Sequence, residues 1–394
     1  MSHATIPAVI SHALSPFGTT VFAEISRLAL EHKAVNLGQG FPDFDGPDWI
    51  RRAAATALLE QPNQYAPTNG LPALTAAIAQ RWHRAAAAAI DPATEVTVTA
   101  RCTEAIAAAL LGILNPGDEV ILFEPFYDSY RACIAMAGAT PRFVLLRWPD
   151  FSFDPAELAK AITQRTRAIL INTPHNPTGK VFSREELGLI ADLCAKHDLI
   201  AITDEVYEDL AYDAEHIRLA TLPGMAERTI TLSSIGKTFS LTGWKIGWAI
   251  APPPLTKAVR AAHQFLTFAI NPALQAGAAA ALSAPDDFYT EVRVRFVSAR
   301  DTLVALLTTL GFPVCIPAGG YFVMADHTPF GHGSDTAFVK HLIETVGVAA
   351  IPPSAFYHDH PEEGRRLVRF AFCKKPETIR EACRRLETRG ASHQ

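Results

Sequence analysis

The stretch AILINTPHNPTGKVFSREELGLIADLCAKHDLIAITDEVY, residues 168–207, holds a short apolar run, a polar loop, an amphipathic segment and a second apolar run, in that order. Ala168-Ile-Leu-Ile171 and Leu199-Ile-Ala-Ile-Thr203 are brief and nearly continuous, which suits strands buried on both faces of a parallel sheet. Between them, Ser183-Arg-Glu-Glu186 is a capping box that opens a helix expected over Ser183–Lys196. Strand, helix, strand predicts an α/β layered domain.

The pattern extends outward from there. Glu95-Val-Thr-Val-Thr99, Glu119-Val-Ile-Leu-Phe123, Thr229-Ile-Thr-Leu232 and Ile246-Gly-Trp-Ala-Ile250 read as further strands. The Ala-rich Arg84–Ile90 segment reads as a strong helix former. After about residue 290 come a long helix, the Phe312–Met324 stretch around Ala318-Gly-Gly320, another helix and the strand Leu367-Val-Arg-Phe-Ala-Phe372. The expected organisation is a large domain over 46–285 and a smaller α+β domain made of 1–45 and 286–394. The first forty-odd residues show no strand–helix alternation of their own and are expected to pack onto the C-terminal unit.

Composition narrows the function classes. The chain has 394 residues, 49% hydrophobic and 19% charged, with a formal net charge of −5, enough for two sizeable cores. Without a basic run, nucleic acid and acidic membrane surfaces are not expected partners. Six scattered cysteines without a Cys-x-x-Cys pair point to a reducing compartment, not to a disulfide or zinc framework. Met1-Ser-His-Ala-Thr-Ile-Pro7 has no signal-peptide character, and no apolar run approaches the ~20 residues that span a bilayer. A cytoplasmic protein is expected.

Ligands of open parallel sheets bind beyond the carboxyl ends of the strands. Just past those ends lie Tyr127, Asn172 and Asn176, Asp204 and Tyr207, and Ser234 with Lys237. Each has an ordinary reading. Lys237 alone is a solvated end-of-strand charge, the asparagines are turn residues beside Pro174 and Pro177, Asp204 is a helix cap, and Tyr127 is core. Their joint placement is harder to explain that way. His175–Lys180 lacks the leading glycine of a phosphate loop. His358-Asp-His360, in polar surroundings, reads as a surface loop and no metal is expected.

One cofactor matches the set. Pyridoxal 5'-phosphate needs a lysine for covalent attachment and a carboxylate beside its ring nitrogen. Such an anion raises a pyridinium pKa by ~1–3, worth roughly 1.4–4 kcal/mol to the protonated ring. Asp204 fits that task, Asn176 and Tyr207 fit as donors to the ring oxygen, and Tyr127 as a flat ring above it. The phosphate calls for a helix N-terminus and hydroxyls. The amides of Cys102 and Thr103 at the start of a helix supply the first, with Ser234 and Lys245 on the other side.

These segments together resemble the class I, fold-type I aminotransferases, in the subgroup of kynurenine aminotransferase/glutamine transaminase K, methionine and N-succinyldiaminopimelate aminotransferases. The likeness runs from about Phe17 to Arg385. It rests on Asn36-Leu-Gly-Gln-Gly-Phe-Pro-Asp43, Asn63-Gln-Tyr65, Asn172–Lys180, Thr203-Asp-Glu-Val-Tyr207, Ser234-Ile-Gly-Lys237, Thr242-Gly-Trp-Lys245 and Val368-Arg-Phe370. The resemblance implies a seven-stranded, mostly parallel sheet in the large domain. It makes Lys237 the residue that carries the cofactor and shuttles the substrate proton. Asn176, Arg369 and the Gly40 amide would hold the substrate carboxylate, with Phe22 lining the pocket. Tyr65 would reach the phosphate in the neighbouring subunit of a homodimer with shared active sites.

Arg369 carries an argument of its own. A guanidinium inside an apolar strand is costly unless paired, and a carboxylate clamp suits arginine better than lysine; a buried structural salt bridge is the alternative. Two residues depart from general patterns. Arg101 stands where the subgroup has glycine and would be strained if that turn needs positive φ. The cup is expected to form regardless, because Cys102 and Thr103 would contribute backbone, not side chain. Lys245 replaces an arginine of the wider class, as it does throughout the subgroup.

The Gln264–Asn271 loop is apolar and lacks the arginine that aspartate-type enzymes present to a distal carboxylate. With Phe22, Phe41 and Tyr127 it points to large neutral or aromatic amino acids such as kynurenine, methionine, glutamine or phenylalanine. The alternatives are N-succinyldiaminopimelate and a Cβ–S lyase side activity. A non-enzymatic ligand-binding role has no support in the sequence.

Overall fold

The structure, a computed structural model, describes residues 10–18 and 20–390. The leader reading of Met1–Pro7 lies outside the described residues. A seven-stranded sheet forms the centre. Its strands are β2 (Val96–Ala100), β3 (Glu119–Glu124), β4 (Thr140–Leu145), β5 (Thr166–Asn172), β6 (Ile200–Asp204), β7 (Thr229–Ser234) and β8 (Ile246–Ile250). They lie in the order β2-β8-β7-β6-β5-β3-β4. β8 runs against both its neighbours, and the remaining pairs are parallel.

Alternation along the strands assigns the two faces. Leu122, Leu170 and Ile202 pack into one core with Ile106 and Tyr321. Their neighbours Ile121, Ile169 and Ala201 pack into a second, against Leu187, Ile190 and Cys194 of the helix Arg184–His197. Both faces are covered, so the strands read as unbroken apolar runs. Each fully buried leucine or isoleucine adds roughly 1.5–3 kcal/mol of transfer free energy. β4 sits at the edge, pairs on one side only and alternates in exposure. An edge position tolerates Pro141, which has no amide proton to give.

The capping box forms as expected. Glu186 N donates to Ser183 Oγ at 3.2 Å, and Ser183 N donates back to Glu186 Oε2 at 2.9 Å. The helix closes on Asp198 in the left-handed region, φ +51°. The Ala-rich segment departs from its reading. The helix Pro72–Ala86 stops at Ala87, φ +52°, so the alanine run is helical only at its start, despite its propensity.

The chain ends form a second layer. The helix Val21–Glu31 leads into β1 (Val35–Asn36), which pairs in parallel with β11 (Val348–Ala349). The N-terminal segment thus has a helix and a strand that its sequence did not announce, and it does pack on the C-terminal unit. A 24-residue helix, Asp286–Thr309, precedes the antiparallel sheet β9 (Val314–Cys315), β10 (Phe322–Asp326) and β12 (Leu367–Ala371). A hydrophobic core containing Leu122 and Leu170 also contains Leu37, Tyr321, Phe322 and Phe370. The C-terminal sheet is therefore seated beside the ends of the central strands.

Candidate active site

The carboxyl ends of β2, β3, β5, β6 and β7 lie at one edge of the sheet. β8 runs the other way, so the residue before it, Lys245, reaches the same edge. A hollow of about 400 Å³ opens there, lined by Cys102, Thr103, Tyr127, Asn176, Asp204, Tyr207, Ser234 and Lys237. It continues into an outer hollow of about 870 Å³ walled by Phe22, Gly40, Phe41, Lys245, Phe322 and Arg369. Every site residue expected from the sequence borders one of the two except Tyr65. That side chain is 84% exposed and packs edge-on against Phe268 at 5.3 Å.

Lys237 Nζ donates to Tyr321 Oη at 2.9 Å and lies 3.5 Å from the Gly40 carbonyl. Tyr321 gives its own proton to Gly40 O at 2.7 Å, so its oxygen can only accept from the amine. Burial, reinforced by the nearby Arg101 charge, lowers the lysine pKa to about 8. With its pKa at about 8, roughly a fifth of this lysine is neutral at pH 7.4, far more than of an ordinary lysine, and that fraction can attack a carbonyl.

Asp204, at the end of β6, accepts from Tyr130 Oη at 2.8 Å and from Val206 N at 3.2 Å. Burial pushes its carboxyl pKa up, against the pull of Tyr130, Val206, the Cys102 thiol and Lys237. A cationic ring nitrogen set against this carboxylate would offset that penalty. The Cys102 thiol bonds Asp204 and the Thr103 hydroxyl bonds Tyr127. Their helix, Arg101–Ile113, follows β2 directly and has no side-chain cap, leaving first-turn amides available to an anion.

Arg369 is the most demanding group in the site. It is 1% exposed, and burial lowers its pKa to about 10. Nη1 donates to Asn176 Oδ1 at 3.0 Å and Nη2 to Gly38 O at 2.9 Å, while Nε has no partner. Among the described residues it forms no ion pair, so the structural salt bridge weighed from the sequence is absent. Phe322, Phe356 and Phe22 surround it, with Phe322 at 4.1 Å from the guanidinium carbon. Asn176 is fixed in turn, its amide donating to Asn172 Oδ1 at 2.7 Å. With its oxygen committed to Arg369, its Nδ2 remains as a donor for a ligand.

Arg101 has φ +70°, the left-handed geometry foreseen for a position that favours glycine. Tyr130 and Tyr321 were not singled out from the sequence. Tyr130 lies three residues beyond Tyr127, and Tyr321 follows a glycine pair, but only the fold aims them at Asp204 and Lys237. The His358–His360 segment is more than a surface loop. The backbone amides of all three residues, Asp359 at 3.0 Å and His360 at 3.2 Å among them, donate to the buried Glu124 carboxylate. The apolar Gln264–Asn271 stretch, whose first three residues end the helix Pro253–Leu266 instead of forming a loop, borders neither hollow of its own chain, and Phe265 is 83% exposed.

The sequence profile of the aminotransferase class I and II family matches residues 32–386. The chain is 49% identical to the probable N-succinyldiaminopimelate aminotransferase of Mycobacterium tuberculosis, covering 95% of this chain and 96% of that one. A solved structure of the M. tuberculosis N-succinyldiaminopimelate aminotransferase superposes with a TM-score of 0.92, over 96% of this chain and 99% of that one. The Escherichia coli methionine aminotransferase is 38% identical over 96% of this chain and 98% of its own. The Dictyostelium discoideum kynurenine–oxoglutarate transaminase is 40% identical over 94% of each chain.

Proposed function

Because the chain belongs to the class I and II aminotransferases, we propose that it uses pyridoxal 5'-phosphate to move the amino group of a large neutral or aromatic L-amino acid to a 2-oxo acid. The observation that carries this reading is Arg369, buried without a carboxylate and with Nε unpaired, beside a lysine whose pKa has fallen to about 8. A buried guanidinium is stable when an anion pairs with it. Each amino acid and oxo acid of a transamination brings an α-carboxylate.

The donor set fits the cofactor. When bound, it supplies the electron sink for electrons released at the substrate Cα. Lys237 would hold it covalently, and its neutral Nζ would be placed to take and return the Cα proton. Asp204, steadied by Tyr130, would keep a proton on the ring nitrogen. Tyr207 and Asn176 would serve as donors to the ring oxygen, with Tyr127 as the flat ring beside it. The Cys102 and Thr103 amides, Ser234 and Lys245 would hold the phosphate. Arg369, Asn176 and the Gly40 amide orient the substrate carboxylate, while Phe22, Phe41 and Phe322 exclude water.

Tyr65 and the exposed Phe265–Phe268 segment serve the site of a second copy in a homodimer. The domain boundaries at 46 and 286 and a cytoplasmic location belong to the same reading. Among the described residues no helix is long and apolar enough to cross a membrane.

A second substrate reading, N-succinyldiaminopimelate, is favoured by the 49% identity to the M. tuberculosis protein against 38–40% for the methionine and kynurenine relatives. Single-turnover reactions of the holoenzyme with methionine, kynurenine, glutamine, phenylalanine and succinyl-diaminopimelate, without oxo acid, separate the two. Reaction with the neutral amino acids supports the first reading. Reaction confined to the succinylated substrate overturns it in favour of the second. A Cβ–S lyase side activity would show as pyruvate released from a cysteine conjugate.

A further inference from the structure

Resting on the cofactor reading above, we propose that Arg101 adds a side-chain cation to the phosphate end of the cleft, beside Lys245. The phosphate is then held by paired cations in addition to backbone amides and hydroxyls.

Arg101 joins β2 to the helix Arg101–Ile113 and is held at φ +70°. A Cβ disfavours that conformation, and it persists only where the surroundings determine it. The surroundings do so here. A side chain at Gly247 on β8 would meet the Arg101 carbonyl carbon at 2.6 Å and Cys102 N at 2.7 Å, so the turn is pressed against the sheet. Glycine would satisfy this backbone without strain; arginine in its place needs a compensating gain.

The compensation lies in the cleft. Arg101 borders both hollows, and among the described residues nothing pairs with its guanidinium. Its charge is felt by Lys237 and Lys245, in each case next after burial in lowering their proton affinity. It also reaches Tyr127 and Asp128. The groups facing this end are therefore the cations Arg101 and Lys245, with Lys237 beside them giving up its proton near pH 8, against the carboxylates Asp204 and Asp128. Like charges gathered at an uncapped helix start suit a dianion, and a guanidinium presents the paired N–H donors that phosphate oxygens accept.

The test compares wild-type apoenzyme with Arg101→Gly and Arg101→Lys, titrated with pyridoxal 5'-phosphate, with pyridoxal lacking the phosphate, and with inorganic phosphate as competitor. Arg101→Gly is expected to weaken the phosphorylated cofactor about 10-fold or more while changing pyridoxal binding little, with the lysine variant between. Inorganic phosphate should compete less well in Arg101→Gly than in wild type. The pH midpoint of covalent loading on Lys237 should move up, a change that relief of backbone strain alone would not produce. Arg101→Gly binding the phosphorylated cofactor as tightly as wild type, or more tightly, overturns the proposal. Unchanged cofactor affinity with a raised KM for an acidic substrate also overturns it and places the guanidinium on the substrate side. Wild type failing to bind either form of the cofactor would sink the cofactor reading itself, and this inference with it.

Discussion

Arg369 Nη1 and Asn176 Oδ1 lie 3.0 Å apart, joining β12 of the C-terminal sheet to the loop after β5 of the central one. The bond links two segments 193 residues apart in sequence and fixes two of the groups proposed above to receive the substrate carboxylate. In Arg369→Lys the ammonium cannot reproduce the planar fork. Loss of one charge-assisted bond costs about 1.5–3 kcal/mol. The expected outcome is a KM raised about 10–100-fold for both the amino acid and the oxo acid, measured by varying each in turn.

Asp204→Asn removes the carboxylate proposed above to keep the ring nitrogen protonated. Single-turnover rates should fall about 10–1000-fold, with the protein still loaded with cofactor. Tyr130→Phe removes the 2.8 Å bond to Asp204 and should cost about 10-fold. A Tyr130→Phe enzyme slower than Asp204→Asn would show that Tyr130 acts on something other than this carboxylate.

The pH dependence of cofactor loading follows from Lys237. Its pKa is lowered to about 8, so the reactive neutral amine grows as pH rises through that value. Loading of the apoenzyme should accelerate about tenfold per pH unit below about 7 and level off above about 9. Stopped-flow absorbance across that range would show it, and a midpoint near that of a free lysine would be incompatible with the burial described.

Gly40→Ala would place a Cβ 2.6 Å from Phe322 Cζ and 2.9 Å from Cε1. Overpacking of this kind costs about 1–3 kcal/mol. It also displaces the segment whose carbonyl accepts from Tyr321 and whose amide is proposed to face the substrate carboxylate. We expect a raised KM and a melting temperature lowered by a few degrees in calorimetry. Unchanged values for both would mean the segment has room to shift.

The central sheet was legible because its strands are buried on both faces: β3, β5, β6 and β8 carry nearly continuous apolar runs bounded by chemistry-bearing loops. The strand-end rule then collected Lys237, Asp204, Asn176 and Tyr207. β1 and β11, two residues each, are too short to carry a periodicity and exist through pairing with each other. Tyr130 and Tyr321 stayed hidden because a buried tyrosine looks alike in sequence whether its hydroxyl meets a carboxylate or a backbone carbonyl. Glu124 was hidden for a related reason, since its partners are backbone amides 234–236 residues away.

Whether Lys237 carries the cofactor is decided most directly by borohydride reduction of the cofactor-loaded protein followed by peptide mass spectrometry. The account predicts one phosphopyridoxyl group on the peptide containing Lys237, lost when an amino acid substrate is added before reduction and absent in Lys237→Ala. Modification of another lysine in its place, or a Lys237→Ala protein labelled as fully as wild type, would contradict it.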